Sequence, residues 1–235
     1  MQTMDISYRA GGKAMTGYLA DGSKGSKVPG VLVCHQGMGL RDHEKERARM
    51  LADLGYVAFV MDLYGEVPTE RARMGELLNG CLNDRALWDE LILAGLAQLK
   101  AQPNVDVSRV AAIGFCFGGM TVIEAVRATD ELNCVVAFHP GLTHLPESDT
   151  RPVFGKVMAC VGQRDPLIPE DARNRFLRLM AEANADLQYL NYGEAGHGFT
   201  DKTVDAMGMP GFNYHGPTDR RSWAAMRGLF DESFT

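Results

Sequence analysis

Val110-Ala-Ala-Ile-Gly-Phe-Cys-Phe-Gly-Gly119 is the stretch on which the reading of this chain turns. Val110–Ile113 is a short apolar run of strand character, and helical spacing begins at Gly118 and continues to Thr129. Between them stands Gly114-x-Cys116-x-Gly118, a nucleophile flanked by glycines at a strand-to-helix turn. The glycines are required because a sharp turn brings backbone close on both sides of the central residue. A helix beginning just after Cys116 favours a thiolate there. The same residues also fit a tight glycine turn with a buried cysteine. A dinucleotide turn is disfavoured, since the glycines do not fall as G-x-G-x-x-G.

Outward from this turn, short apolar runs alternate with longer amphipathic ones. Val31–Cys34, Val57–Met61, Val135–Phe138, Val157–Val161 and Leu187–Asn191 read as strands, most of them apolar on both faces. Asp42–Leu54, Asp84–Gln102, Glu170–Asn184 and a terminal segment from Thr218 to Phe230 read as helices, with Asp42 and Asp84 as N-caps and Gly55 as a stop. Asp5–Arg9 and Met15–Leu19, joined across Gly11-Gly12, read as an antiparallel edge hairpin. Glu66–Asn83 and Thr200–Pro217 are read as loops. The alternation predicts an α/β fold with a mostly parallel, doubly wound sheet and helices on both faces. With 235 residues and no Pro/Gly/Ser-rich linker, residues 1–235 are expected to form a single domain.

Composition narrows the class further. With 24 Lys plus Arg against 30 Asp plus Glu, the net charge of −6 gives no basis for nucleic-acid binding. Hydrophobic residues make up 46% of the chain, which argues against disorder, and no apolar run approaches the ~18 residues of a membrane span. The first 15 residues lack the apolar core of a signal peptide. Five cysteines cannot all pair and show no C-x-x-C spacing, so reduced thiols, a cytoplasmic location and no metal are expected.

A nucleophile needs a base and an orienting acid. Asp165 follows the strand Val157–Val161, and His197 follows Leu187–Asn191 on a glycine-rich loop. Alone, Asp165 also fits a turn residue and His197 a surface histidine. Their order after the nucleophile, each just past a strand, points to a triad. Oxyanion donors are expected at the N–H of Phe117 and at Gly37, which follows the strand ending at Cys34.

Taken together, His35-Gln-Gly-Met-Gly-Leu40, Asp62-Leu-Tyr-Gly65, the cysteine elbow, the Asp165 and His197 loops and Thr218-Asp-Arg-Arg-Ser-Trp223 resemble the dienelactone hydrolase family. The resemblance implies the α/β-hydrolase fold, no cofactor, and a Cys116–His197–Asp165 triad that opens lactones or cleaves esters through a thioester acyl-enzyme. Two departures stand out. Where family members carry a Glu that helps deprotonate the nucleophile, this chain has Gln36, which cannot take a proton. Of two arginines that hold a substrate carboxylate, one position is Asp201 here and the other corresponds to Arg71, with Arg73 as its neighbour. Asp201 would repel an anionic substrate.

Tyr64 and His139 also follow strands, so each is a candidate to line the site, though a turn tyrosine and a capping histidine fit as well. The expected function is hydrolysis of a small ester or lactone by a monomer or small homo-oligomer. The alternatives are a non-catalytic small-molecule binding protein on the same fold, or a thioesterase or amidase with the same triad.

Overall fold

The computed structural model describes residues 1–235 as two compact units, Met1–Ile113 and Gly114–Thr235. The first opens with β1 (Gln2–Ala10) and β2 (Lys13–Asp21), an antiparallel hairpin in register from Gln2↔Asp21 to Ala10↔Lys13. Gly11 and Gly12 turn it at φ 56 and 71, a conformation other residues rarely adopt. There follow β3 (Val28–Cys34), α1 (Asp42–Asp53), β4 (Val57–Met61), α2 (Arg71–Asn83), α3 (Arg85–Lys100) and β5 (Val105–Phe115), whose last two residues open the second unit.

In the first unit the strand order is β1-β2-β4-β3-β5. β2 runs antiparallel to β4, while β3 and β4 are parallel. Val31–Cys34 and Val57–Met61 are fully buried, as expected of strands covered on both faces, and α1 and α3 pack on β3 and β4. Each such Val, Leu or Phe contributes about 1.5–3 kcal/mol.

The second unit continues with α4 (Phe117–Ala128), β6 (Cys134–Phe138), β7 (Lys156–Gly162), α5 (Glu170–Glu182), β8 (Leu187–Tyr192) and α6 (Gly216–Ser233). β6, β7 and β8 are parallel neighbours, and α4 and α6 pack on β6. The mostly parallel α/β class predicted from the alternation is the class observed. No helix is long and apolar enough to cross a membrane.

Three expectations are corrected. Arg71–Asn83, read as part of a loop, is the helix α2. A short 3₁₀ turn, Val204–Met207, lies inside the second predicted loop. Asp42 is the first residue of α1, not its cap. The cap is Arg41, whose N–H is held by Glu44 Oε2 at 3.0 Å. Asp84 does cap α3, accepting the Leu87 N–H at 3.0 Å, and Gly55 follows α1 at φ 96.

Candidate active site

The second unit begins at the turn on which the sequence reading rests. Cys116 holds φ 53 and ψ −111, a left-handed backbone unusual for a residue with a side chain. Its N–H donates to Phe138 C=O at 3.0 Å, and its C=O accepts the Met120 N–H at 3.3 Å, so β6 and α4 pin the turn from both sides. Space dictates the glycines. A Cβ at Gly114 would lie 1.9 Å from Gly118 C=O, and one at Gly119 would lie 3.0 Å from Pro140. Cys116 is partly exposed and stands at the N-cap of α4. Phe117 is the first helical residue, where N–H groups lie outside the helix's own ladder and face an incoming anion.

His197 and Asp165 arrive from the carboxyl ends of β8 and β7. His197 Nδ1–H donates to Asp165 Oδ2 at 2.8 Å, with side-chain exposures of 3% and 0%. Asp165 Oδ1 accepts the Leu167 N–H at 2.8 Å. The Cys116 side chain hydrogen-bonds His197. Burial opposes a charged imidazole. The charge on Cys116 and the hydrogen bonds to Asp165 and Cys116 outweigh it and raise His197 to about 10. Cys116, His197 and Asp165 thus form one connected chain within the second unit.

His139 is fully buried at the end of β6, at φ 39. Its Nε2 is hydrogen-bonded to Thr200 Oγ1 at 2.8 Å, and its ring meets the His197 ring edge-on at 5.2 Å. It therefore supports the imidazole from behind and has no surface open to solvent. Phe212 lies on His197 at 4.8 Å. The His197 N–H donates to Gly211 C=O at 2.7 Å, while its C=O accepts the Asn213 N–H at 3.2 Å. The sequence reading missed Thr200, Phe212 and Asn213. Thr200 is only three residues past His197, but nothing in the sequence marks it as a partner of His139.

The other candidates belong to the first unit. His35 is buried after β3, donating Nδ1–H to Gln36 C=O at 2.7 Å and accepting the Leu63 N–H on Nε2 at 3.1 Å. That pattern fixes a neutral tautomer, and burial first of all holds its pKa down. Gln36 is half-buried, its N–H on Glu44 Oε1 at 3.2 Å. Gly37 is buried beside Met74 and Leu78 of α2. Tyr64 is buried edge-on to His35 at 4.8 Å, its backbone N–H held by Asp62 Oδ1. Arg71 is exposed at the first turn of α2, and Arg73 is committed to Glu66 and Glu76. In the second unit Asp201 is turned into its own loop, with Oδ1 accepting from the Thr203 N–H and hydroxyl. No group of three or more His, Cys, Asp or Glu is arranged to hold a metal ion.

The dienelactone hydrolase family model matches residues 15–234. A solved structure, m3DLH, is 42% identical with a TM-score of 0.94, covering 100% of this chain and 99% of its own. A dienelactone hydrolase-like promiscuous phosphotriesterase, P91 from metagenomic libraries, is 37% identical with a TM-score of 0.92 at the same coverage. A protein of Escherichia coli (strain K12) bearing a carboxymethylenebutenolidase name is 26% identical over 219 residues, 87% of this chain and 77% of that protein.

Proposed function

The chain belongs to the dienelactone hydrolase family, hydrolases of lactones or esters, and on that premise we propose that it works through Cys116, His197 and Asp165. The observation carrying this reading is the connected chain from the elbow cysteine through His197 to Asp165, whose Oδ2 is 2.8 Å from Nδ1.

Cys116 attacks the acyl carbon as the thiolate, and its electron pair forms the C–S bond while the carbonyl oxygen takes the charge. The Phe117 N–H receives that oxyanion. Gly37, assigned from sequence order and family resemblance, is the second donor. Such a donor contributes about 3–4 kcal/mol to the transition state. Collapse of the tetrahedral intermediate expels the alcohol, which takes its proton from the His197 imidazolium. His197, now neutral, deprotonates a water that cleaves the thioester. Asp165 keeps the Nδ1–H tautomer, so Nε2 faces the reacting atoms. Gln36 cannot serve as a base, which leaves His197 to hold the proton alone.

Cys116→Ala should reduce hydrolysis of p-nitrophenyl acetate by about 10³-fold or more, and wild-type protein quenched with substrate should show an acyl adduct on Cys116 by mass spectrometry. Turnover undiminished in the variant would overturn the reading. The likeness to P91 supports a second reading, phosphotriester cleavage by the same thiol. Release of p-nitrophenolate from a neutral phosphotriester, lost in Cys116→Ala, would support it.

A further inference from the structure

Asp165 rides on the loop 163–169, between β7 and α5. A loop is the most mobile place to put an orienting carboxylate, yet Oδ2 must stay 2.8 Å from His197 Nδ1. The bonds within the turn are few: Asp165 N–H to Gly162 C=O at 3.3 Å, Ile168 N–H to Asp165 C=O at 3.2 Å, and Leu167 N–H to Oδ1. Its first half is also held by the Gln163 N–H on Tyr192 C=O and the Arg164 N–H on Ala195 C=O, each at 2.9 Å.

Arg173, in the first turn of α5, spans the loop from outside. Its Nε donates to Ile168 C=O at 2.8 Å, and its Nη2 to Gly162 C=O at 2.9 Å and Gln163 C=O at 3.0 Å. Nη1 donates to Gln163 Oε1 at 3.1 Å and to Asn191 Oδ1 on β8 at 3.2 Å. A guanidinium has five N–H donors, and these five bonds use them all. The end of β7 at Gly162, and Gln163 and Ile168 near the two ends of the loop, are thereby tied to one rigid planar group on a helix, and through Asn191 to the strand that leads to His197.

We propose that Arg173 is a positioning residue, a strap that fixes both ends of the Asp165 loop and so sets the Asp165–His197 hydrogen bond. The proposal rests on the reading of Asp165 as the orienting acid. The strap touches no substrate, so its loss acts on turnover and not on binding.

Arg173→Ala should lower kcat for an ester about 10- to 100-fold with KM within about two-fold. The downfield proton resonance of His197 Nδ1–H should broaden or vanish in the folded variant. A merely structural role would lower the melting temperature while leaving both readouts unchanged below it. Arg173→Lys keeps the charge and stem but cannot reach both loop ends, so it should sit between the two. If the alanine variant fails to fold, the lysine variant carries the test. A wild-type kcat and resonance in whichever folded variant is measured overturn the strap. Asp165→Asn separates the two levels of the argument. Wild-type turnover there would sink the reading of Asp165 itself, whereas a crippled Asp165→Asn beside normal Arg173 variants would sink the strap alone.

Discussion

At the residue scale, His197 is gripped from every side, by Asp165 at Nδ1, by Cys116, by the rings of Phe212 and His139, and through its backbone by Gly211 and Asn213. Its pKa, about 10, lies above the ordinary 6.5, so the imidazolium persists well past neutrality and is lost as pH rises through that value. Turnover of an alkyl ester, whose leaving group needs a proton, should therefore fall on the alkaline side with a midpoint near 10. A pH–kcat/KM profile checks this, and a midpoint near 6.5 would contradict it. The family resemblance puts Asp201 where a carboxylate-binding arginine is expected, and a carboxylate there would discourage an anionic ligand. A carboxylated lactone should therefore have a lower kcat/KM than its methyl ester, and the opposite order would show that another cation serves.

Elements decide where those residues can stand. α4, which begins just after Cys116, is held at its far end by a charge cluster in which Arg151 pairs with Glu124 and Asp149, and Arg127 lies 3.7 Å from Asp149. Burial disfavours the Asp149 carboxylate, but its bonds to Arg151 and the nearby Arg127 hold its pKa down to about 2. Its stabilising effect is therefore present above the unfolded value and disappears only as pH falls through about 2. Asp149→Asn leaves Arg127 poorly compensated and should cost about 3 kcal/mol in urea unfolding at neutral pH. α2 presents the converse case, because a Cβ at Gly75 meets nothing within 4 Å. Gly75→Ala should raise stability by about 0.5–1 kcal/mol in the same measurement.

α2 also shows why one element escaped the sequence reading. Gly75, Gly80, Asn79 and Asn83 dilute its helical signal, and only Leu77 and Cys81 are buried along it. The elbow was legible because its constraint is local, two glycines within two residues of the thiol. That Cys116, His197 and Asp165 come together was legible because strand ends and residue order stand in for distance. The His139–Thr200 bond spans 61 residues, and the five bonds of Arg173 reach from its helix to a loop and a neighbouring strand, all made by side chains of ordinary type. Only the folded arrangement brings them into view.

Across the whole molecule, the five thiols divide four to one. Cys34, Cys81, Cys134 and Cys160 are buried, and burial raises the pKa of each, to about 11 for Cys81 and about 12 for Cys134 and Cys160. Cys116 alone is partly exposed. Iodoacetamide at neutral pH should add one carbamidomethyl group to the native protein and five after denaturation, counted by intact mass. Two or more additions to the native form would contradict the burial pattern. The same division governs oxidation. Peroxide reaching the molecule meets one open thiol, and the sulfenic acid formed there finds the other four thiols sealed away and unable to resolve it into an internal disulfide. Rescue must then come from outside, through a small thiol that forms a mixed disulfide with Cys116 and a second that removes it. The hydrolase is thereby tied to the thiol pool around it.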